Sequence, residues 1–406
     1  MPMKERVKHL KYRLLIYFSK LIAPFYKNRK SAIILFGSRN GDYYMDNSRA
    51  LFEWYQKNDG LSKGIWMTKS KEVYRTLKSN RLAVARIDSL SGVILLNKAK
   101  YGLYTNRLID FAISDEAVPP SLKVIFLSHG QSVKNTRLAV KEGIQSTYKR
   151  DTLTASKQMI FAVSTSPFMA EVQSISNGIP PDKYKITGFP RNDWMFTPPE
   201  QAKTDWDKFN AGKTYNKVVL YAPTWRMKGP KTRMFPFDDL NPEELVKFIE
   251  DNNILLLLRP HTQDLVNNED CKLIADKLTA LSPHHVKLAT IEHFLDANLL
   301  LPYVDVLISD YSSIYHDYLI LNRPICFIPY DFNNFDKVNG FKYPYLENLP
   351  GPVLSSQADF INEFSSIIRG KDNHITKREQ LRKKIYVHLD GNACERVAEE
   401  IEKVFL

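Results

Sequence analysis

At 406 residues, with 44% apolar and 25% charged side chains, 16 Gly and 22 Pro, the chain is too balanced for a disordered, collagen-like or low-complexity protein. Its length suits about two or three globular domains. The three cysteines, Cys271, Cys326 and Cys394, show neither CxxC nor Cys/His ligand spacing. Neither a disulfide framework nor a structural zinc site is therefore supported, and a reducing cytosol fits.

The 57 Lys/Arg and 45 Asp/Glu leave a net charge of +12, distributed unevenly. Residues 1–30 contain Lys4, Arg6, Lys8, Lys11, Arg13, Lys20, Lys27, Arg29 and Lys30 against Glu5 alone, and so hold eight of the twelve net charges. Val7, Leu10, Leu14, Tyr17, Phe18, Leu21, Ile22 and Phe25 recur there at helical spacing, predicting a basic amphipathic helix suited to an anionic membrane surface. The competing reading packs that helix on the protein's own body. Its longest uncharged run, Leu14–Ser19, is far short of the ~20 apolar residues that span a bilayer, and Lys20 interrupts any signal-peptide core.

Short apolar runs then alternate with helical periodicity. Ala32–Phe36, Val124–Leu127, Ile160–Val163, Val218–Tyr221, Ile254–Leu258, Val304–Ile308 and Ile325–Ile328 read as buried parallel strands. The pattern predicts an α/β protein with one doubly wound sheet in each half. Pro198, Pro199 and the polar stretch to Lys213 mark the expected break. The organisation expected is a membrane-surface helix over 1–30, Rossmann-like domains over 31–200 and 213–370, and charged terminal helices over 371–406.

In open α/β sheets ligands bind beyond the carboxyl ends of the strands. The residues there are Ser128, His129, Gly130 and Lys134; Ser164, Thr165, Ser166 and the helix-opening Pro167; Pro223, Thr224, Trp225 and Arg226; Arg259, Pro260 and His261; and Ser309, Asp310, Tyr311, Ser312 and Ser313. A Ser-rich turn into a helix suits phosphate, although Ser and Asp are also ordinary helix caps. Arg226 and Arg259 read either as pyrophosphate ligands or as structural ion pairs. His129 and His261, one in each half, are the candidate acid/base pair, and the other seven histidines read as surface or packing residues. No GxGxxG or GxxxxGK[ST] loop occurs, and nothing resembles a nucleic-acid module. Asp205-x-Asp207 lies in a polar helical stretch, so no metal ligand set is expected.

Taken together, the strand-end residues resemble the CDP-glycerol glycerophosphotransferase family, the enzymes that build teichoic acids. The pieces run in family order: Phe36-Gly37-Ser38 with Asp46-Asn47-Ser48; His129-Gly130 with Lys134; Thr187 to Asp193; Tyr221 to Arg226; Arg259-Pro260-His261; Ser309 to Ser313; Asn322-Arg323-Pro324; Tyr330-Asp331; Pro350-Gly351-Pro352; and Asp390-Gly391. Gln131-Ser132 stand where the family usually has Thr-Pro, so CDP-glycerol, CDP-ribitol and other activated alcohol phosphates all stay open as donors.

The resemblance implies a GT-B fold of two facing Rossmann-like domains, with the nucleotide held mainly by the second. It implies transfer of a polyol phosphate to a hydroxyl of a lipid-linked glycan or polymer, with release of CMP, by an enzyme peripheral to the cytoplasmic face of a bacterial membrane. His129 and His261 map onto the catalytic pair, with His129 as general base. Thr224, Arg226, Arg259, Ser309, Asp310, Ser312 and Ser313 are expected at the nucleotide and phosphates; Gly130, Lys134, Arg191 and Asp193 are expected to contact acceptor or donor. No cofactor is implied, since the CDP-polyol is a substrate, and the oligomeric state stays open. The alternatives are a GT-B glycosyltransferase using a nucleotide sugar and a noncatalytic membrane or nucleic-acid binder.

Overall fold

The computed structural model describes residues 3–26, 32–58, 63–140, 152, 155–226 and 231–405, and divides into two α/β units. One comprises Met1–His129, Ile144–Asp193 and Asp390–Leu406; the other comprises Gly130–Gly143 and Trp194–Leu389. Lys27, Arg29 and Lys30 of the basic segment lie outside the described residues.

The first unit is built on β1 (Ile33–Phe36), β2 (Lys63–Thr68), β3 (Val84–Arg86), β4 (Tyr101–Tyr104), β5 (Lys123–Phe126), β6 (Met159–Ser164) and β7 (Tyr184–Ile186). They form one parallel sheet in the order β3-β2-β1-β4-β5-β6-β7. The second unit carries β8 (Lys217–Ala222), β9 (Ile254–Leu258), β10 (Val286–Leu288), β11 (Val306–Ser309) and β12 (Ile325–Phe327), parallel in the order β10-β9-β8-β11-β12. Both sheets are doubly wound, and in each the strand order reverses once, between β1 and β4 and between β8 and β11. Helices cover both faces of a parallel sheet, so its strands are largely apolar; all five residues of β9, Ile-Leu-Leu-Leu-Leu, are buried. The cores gather on these strands, around Leu35, Met67, Val124 and Phe126 in the first unit and Val219, Leu256, Ile308 and Phe360 in the second.

The seven strands read from apolar runs are present. Five others escape that pattern. β3, β7 and β10 are three residues long, too short to register as runs. β2 and β4 are interrupted by Gly64 and Gly102, and at Gly102 a Cβ would stand 2.5 Å from the Phe111 ring, so the missing side chain is what admits that ring.

Residues Met3–Ile22 form one helix with two different faces. Leu15 and Ser19 are buried, Ser19 Oγ donating to the Ala117 carbonyl at 2.7 Å and accepting from Asn97 Nδ2 at 2.8 Å. Val7, Leu10, Leu14, Tyr17 and Leu21, spaced alternately three and four residues apart, are each more than half exposed. The helix thus packs on its own unit by one stripe and leaves a second apolar stripe outward. Phe18 and Ile22, read with the outward stripe, are partly covered. Among the described residues no helix is long and apolar enough to cross a membrane.

Candidate active site

In the first unit Asp46 opens the helix Asp46–Lys57 in a left-handed conformation, φ +71°, with no exposed surface. Its Oδ2 meets Nδ1 of His129 in a close hydrogen bond, while Oδ1 accepts from Arg191 Nη1 and from the Asn47 N–H, each at 2.8 Å. Asn47 completes the frame. Its Nδ2 donates to the carbonyls of Leu127 (3.0 Å) and Ser128 (2.9 Å), and its Oδ1 accepts the Arg191 N–H at 3.0 Å. The backbone is left-handed on both sides of His129, with φ +60° at Ser128 and +115° at Gly130, and the His129 side chain is 43% exposed. Burial alone would raise the Asp46 carboxyl; the electrostatic pull of His129 and Arg191, with hydrogen bonds from His129 and the Asn47 N–H, outweighs it and holds the group well below the usual carboxylate range.

The reversal point of this sheet, where a doubly wound fold offers its crevice, is already filled. Asp110 turns its carboxylate onto the N–H groups of Asn40 (2.8 Å), Thr105 (3.0 Å), Asn106 (2.9 Å) and Arg107 (3.4 Å). A Cβ at Gly37 would lie 2.0 Å from the Asp110 carbonyl oxygen, so glycine is required for that close approach. The protein's own carboxylate takes the amides that a phosphate would use. Asp193, expected as a substrate contact, instead accepts from the N–H groups of Ala393 and Cys394, each at 2.8 Å, and caps the terminal helix Ala393–Phe405.

The reversal point of the second sheet is framed by charge. Arg226 donates to both oxygens of Asp331 (2.7 and 2.8 Å), to Asp310 Oδ2 (3.0 Å) and to the Thr224 carbonyl (2.6 Å). Burial works against its charge, but Asp331 and Asp310 outweigh it and keep the guanidinium cationic. Asp310 Oδ1 also accepts the Thr224 N–H at 2.8 Å, and Ser309 Oγ donates to the Ala222 carbonyl at 2.8 Å, lacing β11 to β8. Thr224 Oγ1 is buried with no hydrogen-bond partner among the described residues. Lys134 lies in the same electrostatic setting, its ammonium lowered by burial and acted on by Asp310 and Arg226. Arg259 is committed elsewhere: Nη1 donates to the carbonyls of Ala289 (2.6 Å) and Thr290 (3.1 Å) and Nη2 to Phe294 (2.8 Å), and burial lowers the group to about 10.

His261 precedes the helix Thr262–Asn267, and its Nδ1 accepts the Gln263 N–H at 3.2 Å. The ring stacks on Trp225 with centroids 4.8 Å apart and planes 14° from parallel. Ser312 and Ser313 are half-buried at the end of β11, Ser312 Oγ accepting weakly from Ile314 N–H at 3.4 Å. Among the described residues no group of three or more His, Cys, Asp or Glu is placed to hold a metal ion.

The structure therefore brings His129 and Arg191 together around Asp46 in one unit, and Thr224, Arg226, Ser309 and Asp310 together with Asp331 in the other. Asp46 and Asp331 had a motif position in the sequence but no role. Their signal was a carboxylate inside a short polar motif, which alone cannot be told from a helix cap.

Two doubly wound parallel sheets in one chain, each with polar strand ends, are the architecture of the GT-B group-transferring enzymes. Solved structures of the wall teichoic acid polymerase TagF share the fold, one with TM-score 0.73 at 21% identity over all of this chain and 98% of that one. UDP-GlcNAc 2-epimerase from Neisseria meningitidis also shares it, with TM-score 0.57 at 15% identity over 91% of this chain and 99% of that one. The family model for CDP-glycerol:poly(glycerophosphate) glycerophosphotransferase matches residues 15–403, and the chain belongs to that family, as a phosphotransferase that takes a polyol phosphate from a CDP-activated donor. It is 25% identical to the teichoic acid glycerol-phosphate transferase of Staphylococcus aureus over 98% of both chains. It is 28% identical to the teichoic acid poly(ribitol-phosphate) polymerase of Bacillus spizizenii over 55% of this chain, but spans only 34% of that relative.

Proposed function

We propose that this chain moves glycerol phosphate or ribitol phosphate from its CDP-linked donor to a hydroxyl of a lipid-linked glycan or polymer, at the inner face of a bacterial membrane, with release of CMP. The observation that carries the reading is His129, half exposed beyond β5 and bonded through Nδ1, so that Nε2 is the ring nitrogen left for chemistry. An alcohol is a poor nucleophile at neutral pH. Its proton passes to Nε2 as its oxygen bonds to the donor's β-phosphorus and the bond from that phosphorus to CMP breaks.

His261 has the opposite arrangement. Its Nδ1 accepts a backbone N–H, so in the neutral ring the proton sits on Nε2, where it serves as a donor to the charge growing on the departing CMP. Thr224 Oγ1, the Ser312 and Ser313 hydroxyls and Lys134 supply further donors, and the second unit is the nucleotide unit because the first has its crevice filled by Asp110. Arg226, Asp310, Ser309 and Arg259 shape that unit rather than offer free groups, since their side chains are bonded within it. Gly130 keeps the His129 turn in its left-handed form, and Asp193 caps the terminal helix. The outward stripe of the helix Met3–Ile22, flanked by Lys and Arg, rests on the membrane that presents the acceptor.

The test is incubation of the full chain with CDP-glycerol, CDP-ribitol and several UDP-sugars, with a synthetic lipid-linked acceptor, followed by nucleotide analysis and product mass. Acceptor-dependent CMP release is expected; UDP release from a sugar donor without CMP would identify a glycosyltransferase instead. His129→Ala should reduce turnover by roughly 10²- to 10⁴-fold with donor binding kept, as loss of a general base does. Turnover near that of the wild type rejects the assignment.

A further inference from the structure

Asp46 is a costly residue to place. A positive φ at a non-glycine residue stores about 1–3 kcal/mol and persists only where the surroundings over-determine it. A helix-capping role does not account for it. An N-capping Asp takes extended dihedrals and turns its oxygen onto the N–H groups of the following turn. Here Met45 holds the extended cap position without any side-chain cap bond, and Asp46 turns Oδ2 onto His129 and Oδ1 onto Arg191 and the adjacent Asn47 N–H.

An ionised carboxylate can only accept, so a neutral His129 must carry its proton on Nδ1 and keep its lone pair on Nε2. Arg191, 5% exposed, gives the buried anion a permanent counter-charge, so Asp46 does not depend on a protonated imidazole for compensation. Asn47 holds the three parts in register by gripping the carbonyls of Leu127 and Ser128 on one side and the Arg191 N–H on the other.

We propose that Asp46 is the positioning residue of this transferase: it fixes the His129 ring in the Nδ1–H tautomer, with Arg191 locking the other edge of the same carboxylate. The proposal rests on the reading of His129 as the base. When Nε2 takes the hydroxyl proton, the imidazolium formed keeps its Nδ1–H on Asp46, so the carboxylate also stabilises the charge that appears during the step.

Asp46→Asn preserves shape but offers Nδ1 an N–H donor, which would invert the tautomer. We expect turnover to fall by roughly 10²- to 10⁴-fold, the scale of losing an oriented general base, with KM for the CDP donor unchanged. Unchanged turnover overturns the proposal. Independently of whether the strained, buried position tolerates Asn, heteronuclear NMR of the imidazole nitrogens in the wild-type chain decides, the His129 signals being assigned by their loss in His129→Gln. The expected pattern is a protonated Nδ1 and an unprotonated Nε2 in the neutral ring. A proton on Nε2, in a protein whose His129→Ala variant is inactive, overturns this proposal alone; retained turnover in His129→Ala overturns the base assignment and this proposal with it.

Discussion

Arg226 and Arg259 leave neighbouring strand ends with the same side chain and meet opposite surroundings. Two carboxylates hold Arg226 charged, whereas Arg259 faces three backbone carbonyls and is lowered to about 10 by burial. The sequence reading left each as a phosphate ligand or a structural pair, and both are bonded within the protein, because a buried guanidinium must satisfy its donors wherever it lies. His316 is the neutral counterpart. Fully buried, it lies 3.2 Å from the Gln131 carbonyl through Nδ1 and 2.7 Å from the Tyr343 hydroxyl through Nε2, and burial lowers it from the ordinary 6.5 to about 4. A folded-state pKa below the unfolded one means that the unfolded chain binds the proton first, so stability falls as pH drops through the window from 6.5 to about 4. The wild type should therefore lose up to about 3 kcal/mol across that window that His316→Gln does not lose. Urea unfolding of both proteins at either end of the window checks this, and equal losses would show that His316 is not buried neutral.

Among the elements, the helix Met3–Ile22 shows how two rival sequence readings can each describe part of one object. Leu15 and Ser19 seat it on the first unit, while Val7, Leu10, Leu14, Tyr17 and Leu21 face outward. Replacing Leu10, Leu14 and Tyr17 together with Ser should change the melting temperature little, since each of these side chains is more than half exposed. Membrane transfer of such side chains is worth about 1.5–3 kcal/mol each at full burial, so affinity for phosphatidylglycerol vesicles should fall by at least about a hundredfold. Unaltered vesicle binding removes the membrane role. Leu15→Ser should do the reverse, lowering stability first, because Leu15 is buried. Strand legibility follows the same logic of burial: Ile254–Leu258 announces itself as an unbroken apolar run, whereas Val84–Arg86 and Tyr184–Ile186 are too short, and Gly102 hides β4 by leaving space for Phe111.

Across the whole molecule, the chain leaves the first unit at Asp193 and returns to it at Asp390. The returning helix Ala393–Phe405 buries Ala393, Cys394, Val397, Ala398 and Ile401, and packs beside the helix Asp46–Lys57 that begins with the positioning carboxylate. Ending the chain after Leu389 would strip those side chains from the first unit and leave the partly buried Asp193 without its two N–H donors. Several kcal/mol would be lost, which for units of this size corresponds to a fall on the order of 10 °C in the lower calorimetric transition. A transition that stays in place would show that the terminal helix contributes nothing to this unit.

The fold class, the family and the strand ends that carry the candidate site were legible along the chain, because burial patterns and the residues beyond apolar runs are local properties. Tertiary structure alone decided which polar groups are already engaged. Asp46, Arg191 and His129 are separated by 83 and 145 residues along the chain yet share one carboxylate, and Asp110, a residue with no motif, occupies the crevice of the first sheet. A hydrogen bond depends on positions in space to within tenths of an ångström, and no spacing along the chain encodes that for residues so far apart.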